Sequence, residues 1–82
     1  MNVILKPSAA RYLERMNEPM KGKVLAGLRK LEQEPLQGDI RPFQGQENLY
    51  RCRLGNYRIV FEIMDDVIVV ERIGPRGDVY KR

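Results

Sequence analysis

Apolar and polar residues alternate along two adjoining stretches of the chain, Leu49–Leu54 and Tyr57–Ile63. Tyr50, Cys52 and Leu54 interleave with Arg51 and Arg53, and Tyr57, Ile59, Phe61 and Ile63 interleave with Arg58, Val60 and Glu62. A period of two is the signature of a half-buried strand. Gly55-Asn56 between them suits a two-residue hairpin loop, which sets the register: Leu54 opposite Tyr57, Arg53 opposite Arg58, Cys52 opposite Ile59 and Tyr50 opposite Phe61. Arg51, Arg53 and Arg58 then share one surface. Met64-Asp65-Asp66-Val67 reads as a second tight turn, into the strand Val67–Ile73. Continued through this turn, the register sets Ile63 against Ile68, Phe61 against Val70 and Val60 against Glu71. Glu62, Val69 and Glu71 join the arginine face, and Arg72 falls on the core side with its head at the sheet rim. Gly74-Pro75-Arg76-Gly77 breaks this strand, and a short tail, Asp78 to Arg82, follows.

Upstream the period changes. Val3–Leu5 is a short strand, and Pro7-Ser8 starts a helix whose apolar stripe is Ala9, Tyr12, Leu13 and Met16. Asn17-Glu18-Pro19 ends that helix and restarts another, from about Glu18 to Glu34, with Met20, Val24, Leu25, Leu28 and Leu31 inward. The short link predicts a helical hairpin. Gly22 and Gly27 inside the second helix lower its propensity by about 1 kcal/mol each; close packing against the first helix or a partner would explain them, and chance is an equal reading. Residues 35–48 carry two prolines and two glycines with little periodicity and read as an ordered connection anchored by Phe43. The expected fold is α+β, in the order β-α-α-β-β-β: one domain over residues 1–82, an antiparallel sheet with a two-helix hairpin on one face.

Composition narrows the chemistry. The chain has 82 residues, 15 Lys+Arg against 11 Asp+Glu, a net charge of +4 and a pI near 9.5. That balance permits an anionic partner without requiring one, and placement of the charges on a face carries more information. The chain contains no histidine and a single cysteine, Cys52, so imidazole catalysis, a thiolate metal site and an internal disulfide are excluded. No cofactor or metal is expected. Cys52 sits on the apolar side of its strand, as a small buried thiol in a reducing compartment would. The first residues are too short for a signal segment and no stretch would span a bilayer, so the expectation is a cytoplasmic protein without a membrane partner.

Arginine forks match phosphate oxygens and stay charged, which makes Arg51, Arg53 and Arg58 a candidate phosphate-binding face for RNA or DNA. A solvated sheet face is the competing reading of the same residues. The direct opposition of Arg53 and Arg58 is unfavourable without an anion. From the residues alone the reading stops at a small α+β domain with a candidate phosphate-binding face.

Tyr50-Arg-Cys-Arg-Leu-Gly-Asn-Tyr-Arg-Ile-Val-Phe-Glu62, the Ile-Val-Val strand and Arg72-Ile-Gly-Pro-Arg-Gly-Asp-Val-Tyr80 closely resemble the RelE/ParE toxin superfamily of type II toxin–antitoxin systems. The resemblance covers almost the whole chain and implies a RelE-like fold. RelE-type members are ribosome-dependent endoribonucleases that cut mRNA and inhibit translation, while ParE-type members inhibit DNA gyrase. The RelE-type basic pair on the second strand, arginine on the third, arginine after the fourth and late tyrosine are matched here by Arg51 and Arg53, Arg58, Arg76 and Tyr80. This set favours a RelE-like toxin over the ParE-like alternative or an inactive antitoxin-binding module. Arg58, Arg76 and Tyr80 are the implied catalytic residues, and Arg51 and Arg53 the implied RNA-phosphate contacts. Arg51 and Arg53 stand where better-studied relatives commonly carry lysine, and Pro75 where many carry histidine or lysine. The implied partners are a RelB-like antitoxin, in a toxin–antitoxin hetero-oligomer, and the ribosome with its mRNA.

Overall fold

The computed structural model describes residues 1–33, 39–43 and 45–75. Its elements are β1 (Asn2–Leu5), α1 (Pro7–Arg15), α2 (Met20–Gln33), β2 (Ile40–Pro42), β3 (Leu49–Leu54), β4 (Tyr57–Met64) and β5 (Val67–Pro75). The five strands form one sheet in the order β1-β5-β4-β3-β2. α1 lies over β5 and β1, and α2 over β1 and β3. The alternation along the chain becomes an inside and an outside: Ile59, Phe61, Ile68, Val70 and Ile73 meet Ala9 of α1 and Val24, Leu28 and Leu31 of α2. Phe61, fully buried, stacks on Tyr50 with ring centroids 5.7 Å apart. Burying such a side chain stabilises the fold by roughly 1.5–3 kcal/mol.

The β3–β4 register agrees with the alternation, pairing Arg53 with Arg58 and Cys52 with Ile59. Gly55 adopts φ 61° while Asn56 does not enter the left-handed region, the arrangement of a type II′ turn. Gly27 also has a definite use. A Cβ there would lie 2.7 Å from Leu54 Cδ1, so the missing side chain lets α2 settle against the end of β3.

Four features depart from expectation. The sheet is mixed, because β1 runs parallel to β5; α1 and α2 carry the chain across one face to the far edge at β2, and β2, β3 and β4 bring it back to β5 beside β1. β2 falls within the stretch expected to be a connection, and pairs Ile40, Arg41 and Pro42 with Cys52, Arg51 and Tyr50. Three residues are too few to display a period, and an edge strand tolerates the proline. Gly74 and Pro75 do not break β5, which stays paired through Pro75 opposite Tyr57. β1 accompanies β5 only from Val67 to Val70, so beyond that point Pro75 interrupts no ladder on the outer side.

The fourth departure is a β-bulge. Phe61 pairs with Val70, but Val60 pairs with Arg72, leaving Glu71 without an opposite residue. The extra residue reverses the alternation from there on. Arg72 therefore belongs to the same face as Val60 and Arg58, not to the core side, and Ile73 returns to the core opposite Ile59.

Candidate nucleic-acid interface

The face of the sheet away from the helices is built row by row, since directly opposed residues share a face. One row runs Arg41, Arg51, Val60, Arg72 across β2, β3, β4 and β5. The next, toward the hairpin tip, holds Arg53, Arg58 and Gly74. Arg51, Arg53 and Arg58 are thus brought together as the alternation requires. Arg76 and Tyr80 lie outside the described residues. Arg41 and Arg72 are additions that the sequence reading missed. A signal for Arg72 was present: Glu71-Arg72 separates Val70 from Ile73 by three positions, where an unbroken strand would space inward residues by two.

The opposed arginines are held by different groups. Arg53 Nε lies 3.7 Å from Asp39 Oδ2, just before β2, in a pair with both side chains about half exposed. Arg58 Nη1 donates to the carbonyl oxygens of Tyr57 at 3.3 Å and Gly55 at 3.4 Å, folding its head back over the turn. Only 6% of Arg58 is exposed, although it is on the side without helices. A fixed guanidinium that keeps its charge is a preorganised donor for an oxyanion. The carboxylates of this face are engaged or set aside. Glu71 pairs with Lys6 at 2.8 Å, and this hydrogen bond holds the Lys6 ammonium above its usual pKa. Glu62 lies one row further on, between Leu49 and Val69.

Cys52 faces the core, and burial, with a smaller contribution from Asp39, pushes its thiol pKa upward. It is a packed side chain, not a nucleophile. A cleft of about 670 Å³, lined in part by Arg11, Tyr12, Arg15 and Tyr57, lies beside α1 on the opposite side of the sheet from Arg51. The arginine rows form a surface, suited to a ligand laid across the strands. Among the described residues no helix is long and apolar enough to cross a membrane.

The family described as ParE toxin of type II toxin–antitoxin system, parDE, matches residues 3–80. Over 42 residues the chain is 43% identical to Toxin RelE3 of Methanocaldococcus jannaschii, a stretch covering 51% of this chain and 48% of that protein. The match thus spans about half the length of this curated relative. A chain of the archaeal RelE–RelB complex of Pyrococcus horikoshii OT3 has a TM-score of 0.80 at 28% identity, with 93% of this chain and 94% of that chain covered. The isolated E. coli RelE toxin also has a TM-score of 0.80, at 19% identity, with 96% and 89% covered, a likeness of fold.

Proposed function

The chain belongs to the RelE/ParE superfamily of type II toxin–antitoxin toxins, its family match spanning residues 3–80, and on that premise we propose that it is a RelE-type, ribosome-dependent mRNA endoribonuclease. The observation that carries this reading is the arginine face, with Arg51 and Arg53 on β3 beside a nearly buried Arg58 on β4. A ribose 2′-hydroxyl attacks the adjacent phosphate, its proton is lost, and the 5′-oxygen of the next nucleotide leaves and is protonated. The products are a 2′,3′-cyclic phosphate and a 5′-hydroxyl.

Arg58 and Arg76 stabilise the charge that develops on the phosphorane and the leaving oxygen, and one such donor is worth about 3–4 kcal/mol. Arg51 and Arg53 hold the backbone on either side. Tyr80 positions or stacks on the substrate. Arginine, with a pKa above about 12, is a poor proton acceptor, so either the arginine field and the ribosome activate the hydroxyl or a base outside these residues takes its proton. The neutralising partner is a RelB-like antitoxin in a hetero-oligomer. The RelE–RelB assembly of the Pyrococcus relative supports that reading.

Inhibition of DNA gyrase is the second reading, favoured by the ParE description of the matching family. Inducing the protein and mapping mRNA ends separates the two. Cuts phased to codons support the nuclease; a DNA-damage response with intact message supports gyrase. Arg76→Ala is expected to abolish toxicity while leaving the chain folded, and undiminished growth arrest by that variant would remove Arg76 from the site.

A further inference from the structure

Arg41 stands directly opposite Arg51, so the sheet carries two like-charged cross-strand pairs in succession, Arg41/Arg51 and Arg53/Arg58. Such opposition destabilises a sheet unless a counter-charge relieves it. In the second pair Asp39 and the turn carbonyls hold the two heads. Asp39, two residues before Arg41, is directed to Arg53, and among the described residues Arg41 forms no ion pair. Arg41 is exposed, at the outer edge of the row that continues through Arg51 and Val60 to Arg72. With strands about 4.8 Å apart, that row spans roughly 14 Å across the sheet, one cation band lying alongside the row of Arg58.

We propose that Arg41, paired with Arg51 at the β2 edge, contacts a backbone phosphate of single-stranded RNA outside the cleaved linkage. The row is a track that extends the site sideways, and Arg41 is a positioning residue at its far end. This rests on the RNA reading of the face and adds to it a direction and a boundary: the strand crosses β5, β4 and β3 and leaves the protein over β2. Asp39 sits at that exit and limits the track on the hairpin side.

The test measures binding of the full chain to a labelled, uncleavable 2′-O-methyl oligouridylate over a range of salt concentrations. For single strands each phosphate contact contributes about 0.7 to the slope of log K against log salt. Arg41→Ala is expected to lower the slope by about that amount and to weaken binding about five- to tenfold at ~0.05 M salt. Arg29→Ala, which removes the same charge from the exposed side of α2, is expected to leave both unchanged, and Arg41→Lys to retain the slope. Arg41→Ala should also melt close to the parent chain, since Arg41 is exposed and forms no ion pair among the described residues. Equal effects of Arg41→Ala and Arg29→Ala, or no salt-dependent binding by the parent chain, would overturn the proposal. Because the probe cannot be cut, a parent chain that shows the expected slopes but cleaves no message would remove the nuclease reading and leave the track standing.

Discussion

Arg53 and Arg58 are directly opposed across the β3–β4 ladder, yet their head groups engage different partners, Arg53 the carboxylate of Asp39 and Arg58 the carbonyls of Gly55 and Tyr57. The opposition that looked costly in the sequence is relieved from within the fold. Only one of the two groups, Arg58, loses its solvent in the process.

Asp39 therefore offsets part of the Arg53 charge at little gain in stability, because the pair is about half exposed. Asp39→Asn is expected to change unfolding free energy by less than about 1 kcal/mol. It should also strengthen salt-dependent binding of single-stranded RNA, since one anion is gone and Arg53 is released. Urea melts and a salt titration check the two halves separately; weaker binding would show that Asp39 helps to present Arg53.

Arg58 is a fork held by two carbonyls, and lysine cannot reproduce that geometry. Arg58→Lys keeps the charge but loses its direction. A fall of about 10²–10³-fold in single-turnover message cleavage is expected, the size of one preorganised donor. Thermal unfolding of the same variant establishes that the fold persists. Full activity would mean that charge alone suffices at this position.

Gly27 and Leu54 form a coupled pair. Alanine at 27 raises helix propensity by about 1 kcal/mol, but its Cβ would stand 2.7 Å from Leu54 Cδ1 and 3.3 Å from Cδ2. Overpacking of this kind typically costs about 1–3 kcal/mol. Gly27→Ala must displace the half-buried Leu54 side chain, so its helix gain is expected to be largely cancelled in the parent and to appear in full when Leu54→Ala is already present. A double-mutant cycle by denaturant unfolding reads the coupling; additive effects would contradict the contact.

Burial holds the Cys52 thiol in its neutral form above its ordinary pKa. As pH rises through the unfolded-state value near 9.0, the unfolded chain releases a proton that the folded chain retains, so stability falls. The fall continues until the raised folded-state pKa is passed. Cys52→Ala removes this contribution, and its stability is expected to decline less than that of the parent between pH 8 and 10. In the folded parent, iodoacetamide should modify Cys52 far more slowly than in denaturant.

The β3–β4 hairpin was legible because three signals agreed: the alternation on both arms, the Gly-Asn loop and the identity of the inward residues. The helices were legible for the same reason, with Val24, Leu28 and Leu31 buried as their spacing requires. β2 was not, since Ile40–Pro42 is shorter than one readable period and is a strand only because β3 offers it a free edge. Arg41 was lost with it. Arg72 was misassigned for a different reason: parity counts residues, and Glu71 occupies a position in the count without one in the ladder.

That bulge makes β5 two strands of opposite phase spliced end to end. The first, Val67–Val70, is locked between β1 and β4, and the second, Arg72–Pro75, follows β4 alone. Removing Glu71 would close the splice and leave every existing cross-strand partner where it is, with only the ion pair to Lys6 lost. Removing Arg72 instead would leave Glu71 to take its place opposite Val60 and reverse the sign of the charge at the end of the cation row. The same one-residue shortening is thus silent or inverting according to which of two adjacent codons it strikes.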